Sequence, residues 1–307
     1  MERVISIVAK RQEAANQSQQ STDQVDECGE NNRAAKTAKK VVDVLIPALN
    51  EEEALPFVLK PLHQLRERDE LSLSKMSIRR ILVLDNGSTD ATAEVALAHN
   101  AEVISAPKRG YGSACLEGLK ALQDSPPDVV LFLDADGSDD LRDLDPLLSL
   151  LSRSALETLG ERERIVTTAA YRDEMRRSKK VHSEVTMVIG SRPRRAEKGA
   201  LTPLQRFGNA LSCTLLRFVF GAEFTDLGPF RAIRWRSIEA LNMADENFGW
   251  TVEMQAKACA LNLLCAEYDV AYHPRRAGES KVSGSISGSI RAGIKILWVI
   301  GRAWWRK

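Results

Sequence analysis

Between residues 41 and 151 the chain switches repeatedly between short, unbroken apolar runs and stretches with helical spacing. That alternation sets the fold class. Val41-Val42-Asp43-Val44-Leu45-Ile46 reads as a buried strand and Glu51 to Leu65 as a helix. Ile81-Leu82-Val83-Leu84 is a second strand, followed by a helix from Asp90 to His99. Val103-Ile104 is a third, short strand, and Ser113 to Leu122 a helix. Val129-Val130-Leu131-Phe132-Leu133 is a fourth strand, followed by a helix around Leu141 to Leu151. Strands separated by helices of this length form βαβ units and a mainly parallel sheet. Strands apolar at nearly every position are covered on both faces, so the class is α/β with helices above and below the sheet.

The flanks read differently. Residues 1–40 contain no aromatic residue and are rich in Gln, Asn and Ser, as in Gln17-Ser18-Gln19-Gln20-Ser21, the composition of a flexible tail. Its apolar start, Val4 to Ala9, is too short for a secretory core, and Glu2, Glu13, Asp23, Asp26, Glu27 and Glu30 argue against a transit peptide. Residues 152–184 are charged (Glu161-Arg162-Glu163-Arg164, Arg176-Arg177, Lys179-Lys180) and read as a peripheral insertion, with the sheet resuming at Val185 to Ile189. No apolar stretch reaches the ~18 residues that span a bilayer. The net charge of +1 leaves no global basic field for nucleic acid. The five cysteines, Cys28, Cys115, Cys213, Cys259 and Cys265, form no CxxC pair, which fits a reducing compartment and no structural zinc. They read as small core hydrophobes.

Ligands of an open parallel sheet bind beyond the carboxyl ends of its strands. Pro47-Ala48-Leu49-Asn50-Glu51-Glu52 follows the first strand, Asp85-Asn86-Gly87-Ser88-Thr89-Asp90 the second, and Asp134-Ala135-Asp136-Gly137-Ser138 the fourth. Any one of these is ordinary turn chemistry, and Asp90 could simply cap a helix. Three acidic, polar segments at one sheet edge call for a ligand. Asp134 and Asp136 are joined by Asp139, Asp140, Asp143 and Asp145. Crowded carboxylates repel, so they titrate high or take a cation. A hard divalent ion fits, and Mg²⁺ typically takes one or two carboxylates and completes its shell with substrate phosphates. There is no GxxxxGK(S/T) loop and no GxGxxG after the first strand; Gly110-Tyr111-Gly112 is a lone GxG.

Taken in order, the pieces resemble family 2 glycosyltransferases of the GT-A fold, and among them the dolichol-phosphate-mannose synthase branch, which glycosylates a polyprenyl phosphate. The resemblance is carried by Ile46-Pro47-Ala48-Leu49-Asn50-Glu51, Leu84-Asp85-Asn86-Gly87-Ser88-Thr89-Asp90-Ala91-Thr92, Gly110-Tyr111-Gly112-Ser113-Ala114 and Asp134-Ala135-Asp136-Gly137-Ser138. It continues through Gly190-Ser191-Arg192, Thr225-Asp226-Leu227-Gly228-Pro229-Phe230-Arg231, Trp250-Thr251-Val252-Glu253-Met254 and Arg275-Arg276-Ala277-Gly278-Glu279-Ser280-Lys281. It implies a three-layer α/β/α sandwich around a mainly parallel sheet over residues 41–285, followed by an amphipathic helix over 286–307. It implies a UDP- or GDP-hexose donor held by Pro47, Ala48, Asn50, Glu51, Asp85, Asp90, Gly112, Asp134 and Ala135. It makes Asp134 and Asp136 ligands of Mg²⁺ or Mn²⁺, with Ser138 third where some relatives carry Gln. Arg192, Arg206, Arg275 and Lys281 match positions aimed at phosphates, a task that suits bidentate guanidinium groups. Asp134, Asp136, Arg192 and Glu253 form the implied catalytic set.

The expected reaction is transfer of a hexose to a polyprenyl phosphate by one in-line displacement with inversion. A phosphate nucleophile is already ionised and needs positioning more than a base. A saccharide or small-molecule hydroxyl acceptor is the alternative; it needs a carboxylate base, for which Glu253 and Asp226 are the candidates. A nucleotide-sugar-binding protein without turnover is the third reading. Arg231-Ala232-Ile233-Arg234-Trp235 resembles the RxxRW box of processive synthases, but those enzymes also carry several membrane spans. At the C-terminus Ile286, Ile290, Ile294 and Leu297 share one helical face, Arg291, Lys295, Arg302 and Arg306 another, with Trp298, Trp304 and Trp305 adding interfacial aromatics. This basic amphipathic pattern reads as an element lying on the cytoplasmic face of a membrane, or else as a helix packed on the domain.

Overall fold

The computed structural model describes residues 39–68, 71–153, 159–177, 184–278, 298 and 300–302. The tail expected over 1–40 lies outside these residues except at its last two positions, as do Lys281 and the helical positions 286–297. Everything described from Lys40 onward belongs to one compact unit.

The first half alternates as its sequence requires. Strands β1 (Lys40–Ala48), β2 (Met76–Asp85), β3 (Glu102–Ser105) and β4 (Val129–Phe132) are separated by helices α1 (Leu55–Arg66), α2 (Thr92–Ala98) and α3 (Tyr111–Ala121). Helix α4 (Leu144–Ser149) follows, flanked by single 3₁₀ turns. Beyond it come β5 (Glu163–Val166), α5 (Ala169–Arg177), β6 (Met187–Ser191), α6 (Pro203–Phe220), β7 (Arg231–Arg234), α7 (Trp235–Leu241), α8 (Trp250–Ala260) and β8 (Cys265–Asp269). The eight strands form one sheet in the order β3-β2-β1-β4-β7-β6-β8-β5. Pairing is parallel from β3 to β4 and between β6 and β8; β7 and β5 run antiparallel to their neighbours.

Two cores lie on opposite faces of this sheet. Side chains alternate along a strand, so Val42, Val44 and Ile46 of β1 join Ile81, Val83, Val129 and Leu131 on one face, beneath α1, α2 and α4. Leu45 joins Leu82, Leu84, Val130 and Phe132 on the other, beneath α3, α6, α7 and α8. The result is the three-layer α/β/α sandwich. Helix α1 shows how the cover is specified: Leu55, Val58, Leu59 and Leu62 recur at i, i+3, i+4 and i+7 and are all buried. Cys115, Cys213, Cys259 and Cys265 are buried in the second core, as small hydrophobes should be.

Several local expectations shift. The first helix begins at Leu55, because Asn50 is left-handed (φ 53°) and residues 52–54 form a turn. Helix α2 begins at Thr92, with Asp90 outside it. Residues 152–184 are not wholly peripheral: β5 closes the sheet against β8, and Tyr171 of α5 is buried in the first core. The RxxRW segment is β7 and the start of α7; its fully buried Arg231 donates to the carbonyls of Leu227, Gly228 and Thr251, and Arg234 to those of Val185 and Leu151. At the C-terminus Ile300 is buried in the second core while Trp298 and Arg302 are exposed, with the guanidinium 5.0 Å from the indole centroid. This turn therefore packs on the domain.

Candidate active site

The order 3-2-1-4 reverses direction between β1 and β4, and such a switch point opens a crevice at the carboxyl ends of the strands. Leu45 pairs with Phe132 there, so the loops after both strands leave side by side. A cavity of about 640 Å³ lies over them. Pro47, Ala48 and Glu51 line it from β1, Asp134, Ala135 and Asp136 from β4, and Arg192 and Arg275 from the ends of β6 and β8.

Other expected donor-binding residues hold the loops rather than line the cavity. The Asn50 amide donates to Ser88 Oγ (3.0 Å) and its Oδ1 accepts from the Thr89 amide (2.8 Å). Asp85 Oδ1 accepts from the Ser88 amide. Asp90 Oδ2 accepts from the Glu52 amide and its Oδ1 from Thr92, whose Oγ1 in turn accepts from the Glu51 amide (2.8 Å). These bonds fix where Glu51 points. Gly112 is likewise a packing residue. The amides of Gly112 and Ser113 donate to the carbonyls of Asn247 and Glu246, so this helix start serves another loop. A Cβ on Gly112 would overlap the Asp245 carbonyl, and Gly110 sits at φ 140° with its amide on Asn86 Oδ1. Gly112→Ala should therefore cost about 3 kcal/mol, the upper end of overpacking, because the obstacle is backbone. Gly208→Ala, in α6 with nothing within 4 Å of a new Cβ, should be neutral or slightly stabilising. Urea midpoints for the two variants check this contrast.

The arginines are fixed by carboxylates. Arg192 clamps Asp226 through Nε (2.7 Å) and Nη2 (2.8 Å), and its guanidinium lies 5.1 Å from the Tyr272 ring centroid. Asp226 is held in turn. Glu267, fully buried, accepts from the amides of Thr225 (2.8 Å) and Asp226 (3.2 Å) and from Thr225 Oγ1 (2.7 Å). Arg164 of β5 bonds both Glu267 (3.3 Å) and Asp269 (2.6 Å). The charged segment thus neutralises the carboxylates under the Arg192 clamp. Arg275 Nη1 donates to both oxygens of Glu51 (2.8 and 2.6 Å), with Nη2 3.6 Å from Asp136 Oδ2.

Three expected site residues stand off this cavity. Arg206 is exposed on α6 with its Nε near the Leu201 carbonyl (3.4 Å). Glu253 Oε2 accepts from the amides of Ala244 (3.1 Å) and Asp245 (2.8 Å), its Oε1 pairs with Lys257 Nζ (2.8 Å), and it lines a second cavity of about 410 Å³. Ser138 is buried and does not line the main cavity; its amide donates to Asp136 Oδ1 (2.9 Å), so it orients that carboxylate. Conversely, Asn86, Arg109, Tyr111 and Tyr272 line the cavity although sequence reasoning does not single them out. Asn86 and Tyr111 lie inside two of the motifs quoted above. Tyr272 lies in a segment without a motif.

The electrostatics of the carboxylates suit a cation. Burial, and then the Asp136 charge, push the Asp134 carboxyl up to about 7, against the pull of Arg192, Arg275 and a Tyr111 hydrogen bond. Both Asp139 carboxylate oxygens are buried without a hydrogen-bond partner, and burial followed by the Asp134 and Asp136 charges raises that carboxyl as well. Among the described residues no three His, Cys, Asp or Glu side chains converge to cage a metal. Two carboxylates backed by an uncompensated third fit a hard ion that completes its shell from a diphosphate.

A pH dependence follows. Asp134 is protonated in both the folded and unfolded chain below about pH 4. Between about pH 4 and 7 the unfolded chain ionises it and the fold holds it neutral, so stability falls as pH rises through that window. In EDTA the melting temperature should lose this contribution on going from about pH 5 to about pH 8, and Mn²⁺ should restore more at the higher pH. Thermal-shift curves of the parent and of Asp134→Asn, in which the Mn²⁺ response should vanish, measure it.

Comparison with known proteins agrees with this geometry. The family model described as "Glycosyl transferase family 2" matches residues 43–220. A Mycobacterium tuberculosis protein named an uncharacterized glycosyltransferase is 32% identical over 256 residues, covering 83% of this chain and 95% of that one. An undecaprenyl-phosphate mannosyltransferase of Micrococcus luteus is 27% identical over 271 residues, covering 85% and 94%. Among solved structures, glucosyl-3-phosphoglycerate synthase from M. tuberculosis, in complex with Mn²⁺, UDP-glucose and phosphoglyceric acid, superimposes with a TM-score of 0.58 at 20% identity. That match covers 87% of this chain and 82% of the synthase, and it identifies the fold as GT-A.

Proposed function

The chain belongs to glycosyltransferase family 2, and from that premise we propose that it transfers a hexose from a nucleotide-sugar to a polyprenyl phosphate at a membrane surface. The observation that carries the acceptor assignment is that Arg192 and Arg275 share one cavity with Asp134 and Asp136. Carboxylates for a metal–diphosphate, a cation to balance them and a guanidinium for a second phosphate are what such a transfer needs.

Pro47, Ala48 and Glu51 wall the donor side. Asp134 and Asp136 would hold Mg²⁺ or Mn²⁺, which would supply Lewis-acid stabilisation to a nucleotide diphosphate. Arg192 commits Nε and Nη2 to Asp226; its Nη1 makes no hydrogen bond among the described residues and is the group that meets the acceptor phosphate. Arg275 keeps Glu51 from adding a net charge to the carboxylate cluster and lends Nη2 toward Asp136. A phosphate oxygen attacks as the anion, so alignment replaces base catalysis. Asp226 and Glu253 are both committed to other partners, which weighs against a hydroxyl acceptor needing one of them as base.

A donor panel of UDP-glucose, UDP-GlcNAc and GDP-mannose, with a polyprenyl phosphate or 3-phosphoglycerate as acceptor and with or without chelator, tests the reading by mass spectrometry. The expected product is one glycosylated polyprenyl phosphate, absent in chelator. Turnover with 3-phosphoglycerate alone would transfer the enzyme to the chemistry named for its structural neighbour.

A further inference from the structure

Helix α6 has two apolar sides. Ser212, Cys213, Leu216 and Phe220 face inward and are buried. Leu204, Phe207, Leu211 and Phe218 follow one another at spacings of three, four and seven residues, which aligns them along one side of a helix. They are exposed by 47, 67, 38 and 89%. Single exposed apolar residues are common, but a helix apolar on both sides is normally covered on both. An aligned exposed row marks a docking surface.

Charge and position identify what docks. Helix α6 contains no acidic residue, and Arg206 and Arg217 are exposed on it. Residues 192–222 carry Arg192, Arg194, Arg195, Lys198, Arg206 and Arg217 against Glu197 alone, in a chain of net charge +1. Four of these cations have carboxylate partners; Lys198 and Arg206 are exposed without an ion pair among the described residues. The inner side of the same helix supplies Gln205, Asn209 and Ser212 to the wall of the main cavity. The apolar row therefore lies on an element that also bounds the reaction site.

We propose that the outer face of α6 docks the protein on an anionic lipid bilayer. Leu204, Phe207, Leu211 and Phe218 enter the acyl boundary while Lys198, Arg206 and Arg217 remain among the headgroups. The benefit of docking there rests on the lipid-phosphate reading above, because it brings the cavity wall to the surface in which such an acceptor resides. The docking itself does not depend on that chemistry.

The test is flotation of the full chain with vesicles of phosphatidylcholine containing phosphatidylglycerol, compared with phosphatidylcholine alone. The parent should float with the anionic vesicles and less with the neutral ones, and added salt should weaken but not abolish the binding. Phe207→Ser with Phe218→Ser should reduce partitioning at least ~10-fold, the scale of one lost buried aromatic side chain. Neither residue lines the cavity, so calorimetric affinity for the nucleotide donor should not change. A parent that does not float, or a double variant that floats equally, overturns the proposal. So does light scattering that shows a dimer which the variant converts to monomer without any flotation; the row would then join two copies. Failure of the acceptor reading shows separately, as no turnover with a water-soluble short-chain prenyl phosphate while flotation is retained.

Discussion

Asp136→Asn should lower turnover at least ~100-fold, the scale of losing one electrostatic contact made to the transition state, and should abolish Mn²⁺ binding in calorimetry. The fold should survive. The Asn Oδ1 can still accept the Ser138 amide bond, and among the described residues the ion pair removed is the 3.6 Å approach of Arg275 Nη2. Removing a charge from the cluster also relieves repulsion on Asp134 and Asp139, so the metal-free variant should melt no lower than the parent. Full activity in EDTA, or in the variant, would sink the metal assignment.

Arg192→Ala has the largest expected effect on stability. It leaves Asp226, 1% exposed, without its guanidinium partner. Breaking one side of a buried ion pair typically costs about 3–5 kcal/mol, because the remaining charge is uncompensated. Adding Asp226→Asn should recover much of that loss in urea unfolding, since a neutral amide is easier to bury. It should not recover turnover with the lipid phosphate, since the cation itself is missing. Equal recovery of both would make Arg192 a purely structural residue.

How much of the molecule is legible in its sequence depends on whether local chemistry matches burial. β1, β2 and β4 each hold an unbroken apolar run, Val44 to Ile46, Ile81 to Leu84 and Val129 to Phe132, so the parallel half of the sheet and its helices can be read directly. One charge is hidden there, Asp43 of β1 against Arg79 of β2, and the other half hides more. Arg231 in β7 and Glu267 in β8 are fully buried, satisfied by backbone carbonyls and by Arg164 and Thr225 respectively. Glu163 to Val166 looks like a solvated charge run because its arginine neutralises carboxylates 103 and 105 residues away.

The site divides in the same way. Asp134 and Asp136 are legible because they directly follow an apolar strand. Asn50, Asp85 and Asp90 resemble ligands in composition, yet Asn50 and Asp90 bond across two loops and Asp85 bonds within its own, and no spacing rule separates a loop lock from a ligand. Glu253 is singled out by the resemblance of Trp250 to Met254, and its carboxylate accepts from the Ala244 and Asp245 amides, bonds that no local pattern announces. Tyr272 and the Arg192–Asp226 clamp are products of the tertiary fold, with no local signal.

The bond between Arg275 and Glu51 joins positions 224 residues apart. One partner leaves the ribosome near the start of the folded region and the other almost at its end. The first four strands could collapse early, but their donor-side loop would carry Glu51 without its cation until β8 and the segment after it had been synthesised and had docked. Domains with such distant closures fold late and expose unpaired strand edges meanwhile. A nascent or C-terminally nicked chain should therefore be incompetent for donor binding even with β1 to β4 in place, which makes sugar transfer a property only of the finished polypeptide.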